Sequence, residues 1–287
     1  MPRLIINADD FGLTPGVNRG IVQAARTRGT FSATIMAGSK AFPEAIALAR
    51  ETPQLKTGCH VVLIDGEPVG ENAPSLVVNN GRFRSSVKDF CRAALRSQIA
   101  PDEVRREAEA QIRKIQSQGI TLTHIDSHKH THVLSRILVP LLQAAKACGI
   151  RAVRNPFEPI RSWPLGRVAA TPGLWVRAAG VTGFRAFHGA FRRAIREAGM
   201  LTPDGTVGMV ATGFLDQKML TAILKALPEG TWELVCHPGY ADSDLEAAGT
   251  RLVQSRQVEL NALASEETRK VMNEQGIELI SYADLKE

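Results

Sequence analysis

The sequence predicts an α/β fold in which parallel strands and crossover helices alternate around a barrel. Three observations carry this expectation. Short, β-branched apolar runs recur about eight times along the 287 residues, and helical patterns fall between them. The glycine fingerprint that opens a dinucleotide-binding sheet is missing after the first run, where NADDFG stands instead. Barrels of this kind reach roughly 250 residues as one unit, so a single domain spanning 1–287 is expected.

The strands are expected at Leu4–Asn7, Ala33–Ala37, Thr57–Leu63, Thr121–Asp126, Arg151–Arg154, Thr206–Thr212, Trp232–Cys236 and Ile277–Ser281. Thr14 is a suitable N-cap, with Pro15 at the first helical position, for a helix reaching Arg28. Pro101 opens a charged amphipathic helix that Gly119 closes, and Gly149 stops another over Leu134–Ala147. Later helices fit Asp216–Ala226 and Val253–Gln275. Two segments break the rhythm. The first, 64–100, is rich in turn residues. The second, 155–200, is apolar and carries Arg161, Arg167, Arg177, Arg185, Arg192, Arg193 and Arg196 with very few acids. Long connections in a barrel usually build the substrate mouth, and the second segment suits a greasy or anionic partner.

Composition excludes several classes. Hydrophobic residues make up 44% and charged residues 22%, which is a globular balance. The net charge is +6 but no Lys/Arg block of nucleic-acid type occurs, and aromatics are only 5%, so no nucleic-acid partner is expected. Cys59, Cys91, Cys148 and Cys236 form no CxxC pair, which points to reduced thiols and a cytoplasmic protein. The start MPRLIINADD enters a strand at once, and no apolar run has signal-peptide or spanning length. Any work at a membrane would be done from its surface.

The residues with chemistry share one place, at or just beyond a strand end. Asp9 and Asp10 follow the first strand, His60 lies within the third, Asp126, His128, His130 and His132 follow the fourth, and His237 follows Trp232–Cys236. In an α/β barrel these positions converge on the C-terminal face. Six of the seven histidines lie in or beside them. Scattered structural histidines would not concentrate so. Adjacent aspartates at a strand end repel unless a cation compensates, and Asp with His is a common ligand set for Mg, Mn, Co, Ni or Zn. Neighbours on an extended chain point oppositely, so one Asp can bind metal while the other faces water. In HIDSHKHTH, His128 and His132 share a face if a helix begins there, and His128 and His130 share one if the chain stays extended. Asp126 suits the orientation of an imidazole. His237, in CHPG, suits a general acid. The GxSxG elbow, the GxxxxGK[ST] loop and HExxH are absent.

These residues resemble the YdjC-like carbohydrate deacetylases in NADDFG at Asn7–Gly12, GCHVVL at Gly58–Leu63, HIDSHKHTH at His124–His132 and CHPG at Cys236–Gly239. The combination of NADDFG with DSHxHxH is specific, and the likeness runs over essentially the whole chain. The insertion at 64–100 and RAVRNPFEPIR at Arg151–Arg161 look most like the hopanoid-biosynthesis-associated branch, HpnK. The resemblance implies a distorted (β/α) TIM-like barrel of the glycoside hydrolase/deacetylase type. It implies a hydrolase of linear amide C–N bonds in carbohydrate metabolism, with one divalent cation, Mg or Zn foremost, held by Asp10, His60 and His128. Asp9 would be the general base and His237 the acid, with Asp126, His130, His132 and Arg154 supporting the site or touching substrate.

Members acting on chitooligosaccharides carry Thr where this chain has Ile64, which argues against a soluble substrate of that kind. The branch implies an N-acetylglucosaminyl hopanoid lipid, and with it peripheral contact through 155–200 at the inner membrane surface. Rival expectations are deacetylation of soluble chitooligosaccharides, metal-dependent hydrolysis of another bond such as a phosphoester, for which Arg154 is the one obvious anion partner, and a catalytically silent sugar- or lipid-binding protein.

Overall fold

The computed structural model describes residues 1–78, 80–163 and 165–286; Asn79 and Pro164, within the two expected insertions, and Glu287 lie outside the described residues. Eight strands form one parallel sheet: β1 (Arg3–Phe11), β2 (Phe31–Ile35), β3 (Leu55–Val61), β4 (Leu122–Ser127), β5 (Ala152–Val153), β6 (Gly205–Val207), β7 (Thr231–Cys236) and β8 (Glu278–Ile280). Each coincides with an expected strand, with shifted ends. The helices are α1 (Pro15–Arg28), α2 (Phe42–Arg50), α3 (Val87–Leu95), α4 (Pro101–Gln116), α5 (Ser135–Ala147), α6 (Leu165–Ala170), α7 (Pro172–Phe184), α8 (His188–Ala198), α9 (Gln217–Lys225), α10 (Ser243–Ala247), α11 (Gln254–Ala264) and α12 (Glu266–Glu274).

The strand order is β5-β4-β3-β2-β1-β7-β6, and β8 also pairs with β1. One edge of β1 is shared: β8 pairs with Arg3–Ile5, and β2 takes over from Asn7 to Phe11. At the far side β5 and β6 do not pair with each other among the described residues. Instead Leu201 bridges the gap, giving its carbonyl to Val153 N at 3.0 Å and its N–H to Arg151 O at 2.7 Å. The result is a distorted half-barrel rather than a regular ring of eight equal strands. Strand length explains this, since β5, β6 and β8 are too short to carry a continuous ladder.

Alternation along each strand separates two faces. Leu4, Ile6, Ala8, Phe31, Ala33, Ile35, Cys59, Val61, Ile125, Val153, Leu234 and Cys236 pack outward into the main apolar core with the helices. The concave side receives Asn7, Asp9, Thr34, His60, His124, Asp126, Arg154 and Glu233, all buried and joined by hydrogen bonds. Below them Ile5, Ala152, Ile280 and Tyr282 make a small apolar floor. The barrel centre is therefore polar toward its C-terminal end, where a site needs charged side chains held still.

Helix starts follow local chemistry. Thr14 Oγ1 accepts from Val17 N, and Asp216 accepts from Met219 N at the head of α9. The single helix expected over Val253–Gln275 is two: Ser265 ends α11 in an extended conformation and caps α12 by accepting from Thr268 N. Segment 64–100 folds back on itself through the Val77–Phe83 antiparallel bridge and is tied to α4, where Glu107 accepts from Val69 N and Gly70 N. Segment 155–200 contains α6, α7 and α8. All four cysteines are free thiols. No helix among the described residues is long and apolar enough to cross a membrane.

Candidate metal centre and active site

The two aspartates lie inside β1, not beyond it, and both reach the mouth. Extended backbone would send them to opposite faces. The β1–β2 register shifts between Ala8 and Phe11, and Asp10 has φ 68°. A bulge with one left-handed residue thus turns the Asp10 carboxylate back toward Asp9's side. The expectation of opposed side chains fails for this reason. The His128–Val133 segment is likewise neither the helix nor the extended strand considered from sequence. It is a tight 3-10 turn with Lys129 at φ 54° and His130 at φ 52°. Strained non-glycine residues of this kind cluster at functional sites.

Three donor atoms converge at the mouth. Asp10 Oδ1 lies 3.5 Å from His60 Nε2 and 3.4 Å from His128 Nδ1, and those two nitrogens are 3.2 Å apart. These atoms could hold a metal ion. Asp10 Oδ1 is buried without a hydrogen-bond partner, whereas Asp10 Oδ2 accepts from Arg256 Nη2 at 2.5 Å. A lone carboxylate oxygen facing two imidazole nitrogens is what a cation would satisfy. His60 is oriented from behind, with Nδ1 2.7 Å from Asp126 Oδ1. Burial opposes charge on His60, but Asp126 and then Asp9 and Asp10 outweigh it and push its pKa up to about 9. Surroundings that favour a proton there also favour a metal cation.

A second donor group, Asp9, His60 and Asp126, is fully buried. Its carboxylates are already engaged. Asp9 accepts at both oxygens from Arg154, at 2.6 and 2.9 Å. Asp126 Oδ2 accepts from Thr34 Oγ1 at 3.0 Å and pairs with Arg154 Nη1 at 2.7 Å. The Asp10 group is the better candidate.

Arg154 is wholly buried at the centre of this network and also meets Glu233 Oε1 at 2.6 Å. Burial opposes its charge, but Asp126, Asp9 and Glu233 overcome that and raise its pKa further. Burial likewise works against the Asp9 carboxylate. Arg154 and His60 prevail and hold it well below the usual range. Glu233 moves the other way, because burial outweighs Arg154, and it accepts from Tyr282 Oη at 2.5 Å.

His237 faces Asp9, with Nε2 3.9 Å from Asp9 Oδ2. Its backbone N–H donates to Glu259 Oε2 at 2.6 Å, and its Nδ1 lies 3.9 Å from the same oxygen without a hydrogen bond. Burial, stronger than the pull of Asp9, lowers its pKa to about 4, and burial raises Glu259 to about 7. His132 lies outside the donor group: Nδ1 meets Ser127 Oγ at 2.6 Å, and burial drives its pKa down to about 3. His130 lies beside His132 and edge-on to Phe184, its ring 6.4 Å from that of Phe184, and burial lowers its pKa as well.

Sequence reasoning missed Arg256, Glu233, Glu259 and Tyr282. A lone Glu in the buried strand TWELVC was a readable signal for Glu233. Arg256 and Glu259 sit one turn apart on α11, and nothing local marks a helix that reaches back to β1 and the loop after β7.

The fold and site together define an α/β protein with a candidate metal centre of carboxylate and imidazole at the C-terminal mouth of a parallel half-barrel. Within that class the chain belongs to the YdjC-like protein family, whose profile matches residues 3–274. It is similar to the carbohydrate deacetylase of Brevibacillus brevis, at 31% identity over 284 residues and 99% of each chain. It is also similar to that of Geobacillus stearothermophilus, at 32% identity over 286 residues, covering 99% of this chain and 98% of the other. A solved Enterococcus faecalis V583 structure, described as a proposed cellobiose-phosphate cleavage protein, superposes with a TM-score of 0.77. It shares 26% identity and covers 98% of this chain and 97% of its own.

Proposed function

We propose that the chain is a metal-dependent carbohydrate deacetylase that hydrolyses the N-acetyl group of an N-acetylglucosamine-type sugar, carried on a glycolipid such as an acetylglucosaminyl hopanoid. The observation that carries this reading is the convergence of Asp10 Oδ1, His60 Nε2 and His128 Nδ1 beside an engaged Asp9 and His237. The similarity to carbohydrate deacetylases supports the same chemistry. Asp10, His60 and His128 would hold the divalent ion, Mg or Zn foremost. Bound there, such an ion supplies Lewis-acid polarisation of the acetyl carbonyl and makes water more acidic.

In this reading the chain's own residues manage the protons. Arg154 keeps Asp9 ionised and fixes both its oxygens, so Asp9 stands ready to accept a proton from the attacking water. His237 is neutral in the free protein at pH 7, given a pKa of about 4. It becomes an acid only after receiving a proton, which in this reading comes from Asp9, whose Oδ2 lies 3.9 Å from Nε2. The proton then passes from His237 Nε2 to the departing sugar nitrogen, an amine that leaves poorly without it. Products are acetate and the free amino sugar. In the same reading His130, half-buried beside His132 and Phe184, is the residue that touches substrate.

Ile64 and the apolar, Arg-rich segment 155–200 favour a lipid-borne sugar over a soluble oligosaccharide. They also favour work from the cytoplasm at the inner membrane surface. The expectation of one domain over 1–287 is part of the same reading. The test is acetate release by metal-reconstituted protein from an N-acetylglucosaminyl lipid and from a short chitooligosaccharide. Release from the lipid, lost on chelation, is expected. Release from neither substrate sinks the reading, and release from the oligosaccharide alone removes the glycolipid.

A further inference from the structure

We propose that the outer face of α7, with the arginines at its flanks, is a contact surface for an anionic lipid bilayer and holds the barrel mouth against it. Three observations carry this. The helix PGLWVRAAGVTGF has one charged residue, Arg177, yet only Leu174 is buried. A helix this apolar on all sides normally lies in a core or a membrane. Here Trp175 is 57% and Val176 78% exposed, and Leu165 and Ile160 lie open on the approach to it. The Trp175 indole N–H already donates to Ala169 O, so its outer surface is purely apolar.

Charge supplies the second observation. Between Glu158 and Glu197 the chain has no acidic residue and seven arginines. Arg167 is spent on Asp216, and Arg177 lies over the Phe214 ring. Arg161, just before α6, and Arg185, just after α7, remain exposed at either end of the apolar stretch. Apolar side chains for the acyl boundary, an indole at headgroup depth and flanking guanidinium groups form the pattern of an interfacial helix. The charge selects an anionic surface over a neutral one.

Position supplies the third. At its start, Gly173 of α7 packs so closely on Phe214 that a Cβ would lie 3.0 Å from the ring. At its end, Phe184 meets His130. Phe214 belongs to the connection after β6 and His130 to that after β4. Hence α7 spans the C-terminal side of the barrel, the side that carries Asp10, His60 and His128. The surface rests on the deacetylase reading only for what it delivers, an acetylated amino sugar anchored in lipid.

The experiment is vesicle flotation with phosphatidylcholine alone and with phosphatidylcholine enriched in phosphatidylglycerol. The intact chain is compared with Trp175→Asp/Val176→Asp and with Arg161→Gln/Arg185→Gln. Expected are binding to the anionic vesicles only, weakening with salt, loss in the aspartate pair, and roughly fivefold loss per arginine removed. Both pairs should keep the thermal unfolding temperature of the parent and its turnover of a detergent-dispersed N-acetylglucosaminyl lipid, where no bilayer has to be bound first. No binding to anionic vesicles at low salt overturns the proposal. So does equal binding by the aspartate pair, or a parent dimer that the aspartate pair dissolves, because a second copy then covers the face. If vesicles bind as expected while no substrate is turned over by any form, the deacetylase reading fails and the surface stands.

Discussion

Arg154 grips Asp9 at both carboxylate oxygens, Nη2 to Oδ1 at 2.6 Å and Nη1 to Oδ2 at 2.9 Å, in a place where neither side chain meets bulk water. The same guanidinium neutralises Asp126 and Glu233. One guanidinium therefore touches three buried carboxylates. Removing it leaves uncompensated charge in a low-dielectric interior, which typically costs about 3–5 kcal/mol. Arg154→Met is expected to lower stability by that order in denaturant unfolding, and Arg154→Lys by less, since a lysine keeps the charge but loses the bidentate fork. A methionine variant within about 1 kcal/mol of the parent would mean that the carboxylates are protonated instead.

The two aspartates are expected to separate by assay. Asp10→Asn removes the charge from the convergent donor group, so calorimetric titration with zinc or magnesium should show no binding, and turnover should vanish. Asp9→Asn should bind the metal and lose about a hundredfold to ten-thousandfold in turnover. The opposite pattern, with metal lost in Asp9→Asn and kept in Asp10→Asn, reverses the roles. Full turnover in Asp9→Asn removes it as the base.

Arg256 is wholly buried and donates to the Asp10 oxygen that faces away from the donor group. Burial opposes charge on Asp10, and Arg256 is the first of the groups that outweigh it, with His128 next. Arg256→Met should thus weaken metal affinity about 10–100-fold, as loss of a ligand's outer partner does. At equal metal concentration the variant should also gain less stability than the parent, because a weaker-bound ion shifts the folding equilibrium less. Unchanged affinity in a folded Arg256→Met would show that the bulge alone orients Asp10.

How much of this was legible follows from how far each signal reaches. β-Branched runs are local, and all eight strands were readable from them. Strand ends are local too, so Asp9, Asp10, His60, His128 and His237 could be gathered on one face from the sequence. The short helix α2, which no side chain caps, left no clear signal, and the α11–α12 break at Ser265 hid inside one continuous pattern. What sequence could not fix was backbone shape at single residues. The left-handed turn at Asp10 decides that two neighbours share a site, and those at Lys129 and His130 decide which histidines diverge. Partners distant along the chain were equally closed. Arg256 lies 246 positions from Asp10, and only the packing of α11 on the barrel brings them together.

Glu158 offers a test of the loops around the mouth by pH. It is 6% exposed, accepts from Gly208 N at 2.8 Å and from Val210 N at 2.9 Å, and so ties the start of segment 155–200 to the loop after β6. Burial raises its pKa from 4.5 to about 7, against the pull of those N–H groups. A folded pKa above the unfolded one means that the native state holds the proton more tightly. The stabilisation from that proton is full below pH 4.5 and is lost as pH rises through about 7. The slope is at most about 1.4 kcal/mol per pH unit. Glu158→Gln keeps an acceptor oxygen and cannot ionise. Between about pH 5 and pH 8, a window that brackets the folded pKa of about 7, the parent should therefore lose stability relative to Glu158→Gln by a few kcal/mol at most. Parallel stability curves for the two proteins over that window would show that Glu158 titrates normally and that its carboxylate is solvated in solution.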